Sequence, residues 1–104
     1  MYNKLVRDKI PEIIESNGEK PITRLLSEEE YKKELEKKLN EEYQEVLNAY
    51  GDDRIEELAD MLEVMISLAK LDNKKLDDII MAAHVKRMKR GGFEKRIYLE
   101  GVKK

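Results

Sequence analysis

From Tyr31 onward the apolar residues Leu35, Leu39, Tyr43, Val46, Leu47 and Tyr50 recur every three or four positions, the spacing of one helix face, until Gly51 interrupts the run. Residues 54–71 are apolar around most of a helical circumference, which predicts a central helix, and Asp72-Asn73 punctuates it. A third long helix is expected over residues 75–90, stopped by Gly91-Gly92. Ser27-x-x-Glu30 forms a capping box at the start of the first long helix, with Leu26 and Tyr31 placed as a hydrophobic staple. Asp52 or Asp53 is expected to cap the second, so the connection is short and the neighbours antiparallel. Upstream, Asp8 is expected to cap a short helix reaching Ser16, with Pro11 in its first turn and Asn17-Gly18 stopping it. Residues 22–26 and 97–99 are candidate short strands, pairing with each other. The pattern predicts an all-α, mostly helical chain: an antiparallel bundle with two candidate strands near its ends.

Composition narrows this picture. The 104 residues suit one domain, 1–104, and 42% of them are charged. Leu, Ile, Val and Phe still number 27, too many for a disordered chain. Absence of cysteine excludes disulfides, thiolate zinc sites and cysteine nucleophiles. The longest apolar stretch, residues 79–85, contains His84 and is far shorter than the ~20 residues of a bilayer span. Asp8 and Pro11 behind Arg7 do not resemble a secretion signal. A soluble, cytoplasmic protein is expected, with no membrane partner. The net charge of −2 is uneven: residues 27–60 carry 13 acidic and 5 basic side chains, residues 85–104 carry 8 basic and 2 acidic. An acidic middle with basic ends suits a metal site flanked by phosphate-binding groups better than a nucleic-acid track, which needs a net basic surface.

The acidic side chains are not all on solvent faces. Glu45 lies six residues before Gly51 and Glu57 six after it; Glu42 and Asp60 lie nine before and nine after. Residues three apart share a helix face, so in an antiparallel hairpin these two pairs oppose each other across roughly 8–10 Å. At about 100° per residue, with Leu35 at zero, the apolar arc of the first long helix runs from about −40° to about 120°. Glu42 falls inside it at about −20°, Glu45 at its border, and Glu41 points nearly opposite. With Ile55 at zero, Glu57 falls at about 200°, between Val64 and Leu68, and Asp60 at about 140°, beside Leu71. Two such charges 4 Å apart repel by about 4 kcal/mol at an effective dielectric of 20, so a compensating cation is required. It is either a divalent ion or a set of interhelical salt bridges from Lys32, Lys33, Lys37, Lys38 and Arg54. All-oxygen ligands select Mg²⁺, Mn²⁺ or Ca²⁺ over zinc.

Glu41-Glu42-x-x-Glu45 followed by Glu57-x-x-Asp60 resembles the EExxE…ExxD signature of MazG-like, all-α nucleoside triphosphate pyrophosphohydrolases. That superfamily also includes phosphoribosyl-ATP pyrophosphohydrolase and the dimeric dUTPases. The likeness covers roughly residues 27–90. At the ends, the segment from Tyr2 through Pro11 and Arg90-Gly91-Gly92-Phe93 look like those of a branch labelled phosphoribosyl-ATP pyrophosphohydrolase-like. The resemblance implies Mg²⁺ (Mn²⁺ in its place) held by Glu42, Glu45, Glu57 and Asp60. It implies hydrolysis between the α and β phosphates of a nucleotide, giving a monophosphate and pyrophosphate. Glu42 or Glu45 would take the proton, and Lys4, Arg7, Lys9, Lys89, Arg90 and Arg96 are candidates for the distal phosphates. The spacer between the motifs, residues 46–56, is at the short end of the family's range, leaving little room for an insertion that contacts the base.

A small-molecule nucleotide is therefore the expected partner, with removal of non-canonical nucleotides as the role and a homodimer or homotetramer as the assembly. Two alternatives stand: phosphoribosyl-ATP hydrolysis in histidine synthesis, and a non-catalytic helical module that binds a nucleotide or a protein. His84, the one histidine, is assigned a packing or surface role. Met61, Met65, Met81 and Met88 are assigned to core or subunit interface, and Tyr43 and Tyr50 to core packing rather than base stacking.

Overall fold

Gly51 adopts φ 62°, a backbone conformation open to glycine and costly for residues with a Cβ, and the two longest helices meet at it. The computed structural model describes residues 3–104, so Met1 and Tyr2, the latter part of the N-terminal resemblance, lie outside the described residues. Four helices follow in order: α1 (Ile10–Ser16), α2 (Glu28–Asn48), α3 (Asp52–Leu71) and α4 (Leu76–Arg90). The chain is all-helical, and α3 is the helix that packs against both α2 and α4. The one buried apolar side chain of α2, Leu35, and that of α3, Val64, form the core among the described residues.

The start of α2 follows its sequence pattern. Ser27 Oγ accepts the Glu30 N–H at 3.2 Å, and Glu30 Oε1 accepts the Ser27 N–H at 3.1 Å. Arg24 adds a two-pronged contact from outside the helix, donating to both Glu30 oxygens at 3.3 and 2.9 Å. The other caps differ from expectation. Lys9, not Asp8, precedes α1, and no side chain caps it. Gly51 precedes α3, so Asp52 and Asp53 lie inside its first turn, where their charge favours the positive end of the helix dipole. At the far end of α2, Arg54 Nε donates to the Ala49 carbonyl at 2.8 Å. Asp78 accepts the Lys75 N–H at 2.8 Å at the start of α4.

Neither candidate strand forms. Residues 22–26 and 97–99 run as irregular chain, and no strand occurs among the described residues. Ile22 and Leu25 are almost fully exposed, as are Ile97, Tyr98 and Leu99. Local alternation makes a strand only when a ladder partner is present, and a lone two-stranded pair is marginal in water. Tyr43 and Tyr50, expected in the core, are also exposed; Tyr50 sits at the α2–α3 turn, beyond the reach of the packed faces. Among the described residues no helix is long and apolar enough to cross a membrane.

Candidate metal centre

The turn at Gly51 sets α3 back against α2, and the opposing acidic residues are brought to one point. One carboxylate oxygen each from Glu42, Glu57 and Asp60 lies within 4.8 Å of the other two, and all three residues are half-buried. Glu42 comes from α2; Glu57 and Asp60, three residues apart, share a face of α3. The Glu42 side chain is well enclosed, at 13% exposure against 44% for Asp60, in keeping with its place inside the apolar arc. Glu45 is exposed and is not brought to the same distance, so three of the four expected ligands converge and the fourth stands at the rim. Glu41 is exposed and lies 3.8 Å from Lys38, in keeping with its outward position on the helix plot.

Crowding of negative charge leaves its mark on protonation. Burial, then the charge of Asp60, pushes the Glu42 carboxyl above the ordinary range; Lys38 opposes this, and Glu45 and Glu41 add to it. The Glu57 carboxyl is also raised, first by burial and then by Asp60, Glu45 and Glu42. Glu45 therefore acts on the cluster through its field from the rim.

Among the described residues, none of the interhelical salt bridges considered from the sequence is formed. Lys33 and Lys38 pair within α2, with Glu29 at 4.0 Å and with Glu41 and Glu42 at 3.8 and 3.9 Å. Arg54 is engaged with a backbone carbonyl. Two cations reach the cluster: Lys38, on Glu42 from within α2, and, from outside the hairpin, Arg7, whose Nη2 donates to Asp60 Oδ1 at 2.7 Å. Arg7 was expected on a phosphate, and no sequence spacing signals this contact across 53 positions. Lys4, Lys9, Lys89, Arg90 and Arg96 are all exposed. Arg90 and Arg96 line an open hollow with Gly91, Gly92, Phe93 and their neighbours, and His84 lines another with Asp77, Ile80 and Met81. Neither hollow is lined by the three carboxylates.

Three carboxylates on two helices, with no neutral nitrogen or sulfur among them, form a donor set suited to a hard divalent cation. The residues present fit Mg²⁺ or Mn²⁺, since the ion would offset the burial and, after it, the mutual repulsion that raise the Glu42 and Glu57 carboxyls.

No family model matches the chain, and no solved structure does. An uncharacterised protein of Mycolicibacterium smegmatis is 49% identical over 43 residues, which are 41% of this chain and 44% of that protein. The chain thus matches less than half the length of this curated relative.

Proposed function

We propose that the chain is a Mg²⁺-dependent nucleotide pyrophosphohydrolase with a MazG-type helical bundle, cleaving between the α and β phosphates of a nucleoside triphosphate or related nucleotide. The observation that carries this reading is the convergence of Glu42, Glu57 and Asp60 across the α2–α3 hairpin. Those three residues would hold the ion. When bound, Mg²⁺ supplies charge screening for the polyphosphate and polarises water for attack on phosphorus.

The chain's own groups supply the rest. Glu42, half-buried within the cluster, is one candidate for the proton of the attacking water. Glu45, exposed beside the cluster, is the second candidate for the proton. The proton leaves the attacking water, the water oxygen bonds to the α phosphorus, and the α–β bridging oxygen departs with pyrophosphate. Lys4, Arg7 and Lys9 on one terminal arm and Lys89, Arg90 and Arg96 near the other end provide cations for the distal phosphates. The assembly is a homodimer or homotetramer, because a single chain leaves much of its apolar surface in water.

Pyrophosphate release is the test. The protein is incubated with canonical, deoxy and damaged triphosphates and with phosphoribosyl-ATP in Mg²⁺, and pyrophosphate is assayed. Release with at least one, dependent on Mg²⁺ and reduced at least about 100-fold in Glu57→Gln, is expected. Turnover of phosphoribosyl-ATP alone would move the assignment to histidine synthesis. Nucleotide binding without release from any substrate would instead make the chain a binding module.

A further inference from the structure

Side-chain hydrogen bonds among the described residues are local, joining positions no more than seven apart, with one exception. The exception is Arg7 to Asp60, 53 positions apart and 2.7 Å long. It spans from the N-terminal arm, residues 3–9, to the middle of α3. No Cα of α1 comes within 8 Å of a Cα of another helix, and this is the one side-chain hydrogen bond among the described residues that links this end of the chain to the hairpin. The Arg7 carbonyl accepts the Ile10 N–H at 3.0 Å, which ties the Arg7 backbone to the start of α1. The arm carries Lys4, Arg7 and Lys9 against the single carboxylate of Asp8.

We infer that Arg7 is a built-in counter-cation that competes with the divalent ion for Asp60, so that ion binding unclasps the arm and frees its cations for an anionic ligand. The inference rests on the proposed metal site. Asp60 offers an oxygen within 4.8 Å of those of Glu42 and Glu57, so a dication held by the three carboxylates would lie close to the guanidinium, like charge against like. Arginine stays charged at any working pH and cannot relieve that repulsion by losing a proton. It can move. Both partners of the pair are substantially exposed, 57% and 44%, and an exposed ion pair is weak enough to exchange. Without the ion, Arg7 offsets part of the repulsion in the cluster; with it, the same side chain becomes the repelled group. Arg7 is in this sense a positioning residue: it acts on the arm and on ion affinity.

Mn²⁺ binding to the full chain, measured without nucleotide by the electron paramagnetic resonance of free Mn²⁺, tests this. Arg7→Gln is expected to bind Mn²⁺ about tenfold more tightly than the unmodified protein, Arg7→Lys to fall between, and Lys9→Gln to change affinity less than about threefold. Mn²⁺ is also expected to speed tryptic cleavage after Lys4 in the unmodified protein but not in Arg7→Gln, where the arm is already free. Circular dichroism verifies that each variant keeps its helices, and Arg7→Lys carries the comparison should Arg7→Gln not fold. Equal Mn²⁺ affinity in Arg7→Gln and the unmodified protein, or an equal gain in Lys9→Gln, would overturn the inference and leave the metal site standing. If Mn²⁺ binds to none of these proteins, the metal site itself fails, and the clasp with it.

Discussion

Glu30 shows how one side chain can join two structural tasks. It accepts the Ser27 N–H and both prongs of Arg24, and the hydrogen bond from Arg24, followed by that from Ser27, pulls its carboxyl down to about 2. A carboxyl held below its ordinary value binds a proton less readily folded than unfolded. Its stabilisation is complete above the ordinary value of 4.5 and is lost as pH falls from there through about 2. Amide protection at the first turn of α2, corrected for intrinsic exchange rates, should therefore fall across that window, and in Arg24→Gln the fall should be smaller and should end at higher pH. Identical profiles in the two proteins would remove Arg24 from the account. Ser27→Ala, which deletes the other half of the capping box, should cost about 1 kcal/mol in urea unfolding. This reciprocal pair was legible in the sequence because its partners are three residues apart and need no tertiary information. Arg24 was not, since its approach depends on how residues 22–26 leave the helix. The strand assigned to those residues was wrong for the related reason that alternation alone supplies no ladder partner.

At the level of the element, the α2–α3 hairpin converts spacing into chemistry. Equal distances of Glu42 and Asp60 from Gly51 bring them level only when the turn is tight, and the turn is tight because Gly51 holds φ 62°. A Cβ at Gly51 would meet no atom within 4 Å, so replacement acts through backbone conformation rather than through a clash. Gly51→Ala should destabilise the chain by about 1–2 kcal/mol. It should also weaken Mn²⁺ binding, because any relaxation of the turn shifts Glu57 and Asp60 relative to Glu42. Gly101→Ala, also in open space and without a positive φ, should be neutral in both urea unfolding and Mn²⁺ titration. If Gly51→Ala binds Mn²⁺ as before, the turn does not set the site. The helical period fixed which residues share a face, so Glu42 and Glu57 could be named from their angles among apolar neighbours, with Asp60 and Glu45 on the margins. Glu45 lay at the border of the arc, where a small rotation of α2 about its axis decides between cluster and rim. That rotation is set by packing around Leu35 and Val64, which no single-helix plot contains. The Arg7 contact lies further still from legibility, joining an arm without periodic pattern to a helix 53 residues away.

As a whole molecule, one chain is extended and leaves many apolar side chains exposed. Its Cα radius of gyration is 18.3 Å and it extends 65 × 33 × 23 Å, whereas a compact domain of about 100 residues has a radius near 13 Å. The apolar residues that would close a core are present but face water. On α4, Ile80, Met81, Val85 and Met88 are exposed and fall within an arc of about 140°, a largely apolar face that also carries Asp77 and His84, while α3 is the helix that packs against α4. Residues 97–102 add Ile97, Tyr98, Leu99 and Val102, all exposed. A stripe of this kind on a helix is ordinarily covered, and stable interfaces bury about 1,200–2,000 Å² in total. Covering it with a second copy needs no additional partner and agrees with the homodimer or homotetramer proposed above. Sedimentation equilibrium should give a mass of at least twice the 12.3 kDa of the chain. The thermal midpoint should rise with protein concentration, because dissociation is then linked to unfolding. The double variant Ile80→Glu, Met88→Glu places two charges on the stripe and should shift the protein to monomer with a lower, concentration-independent midpoint. Lys104→Glu, a charge change at the far terminus, should leave the mass unaltered. A monomeric mass for the unmodified protein at high concentration would leave the α4 stripe in water and contradict the assembly.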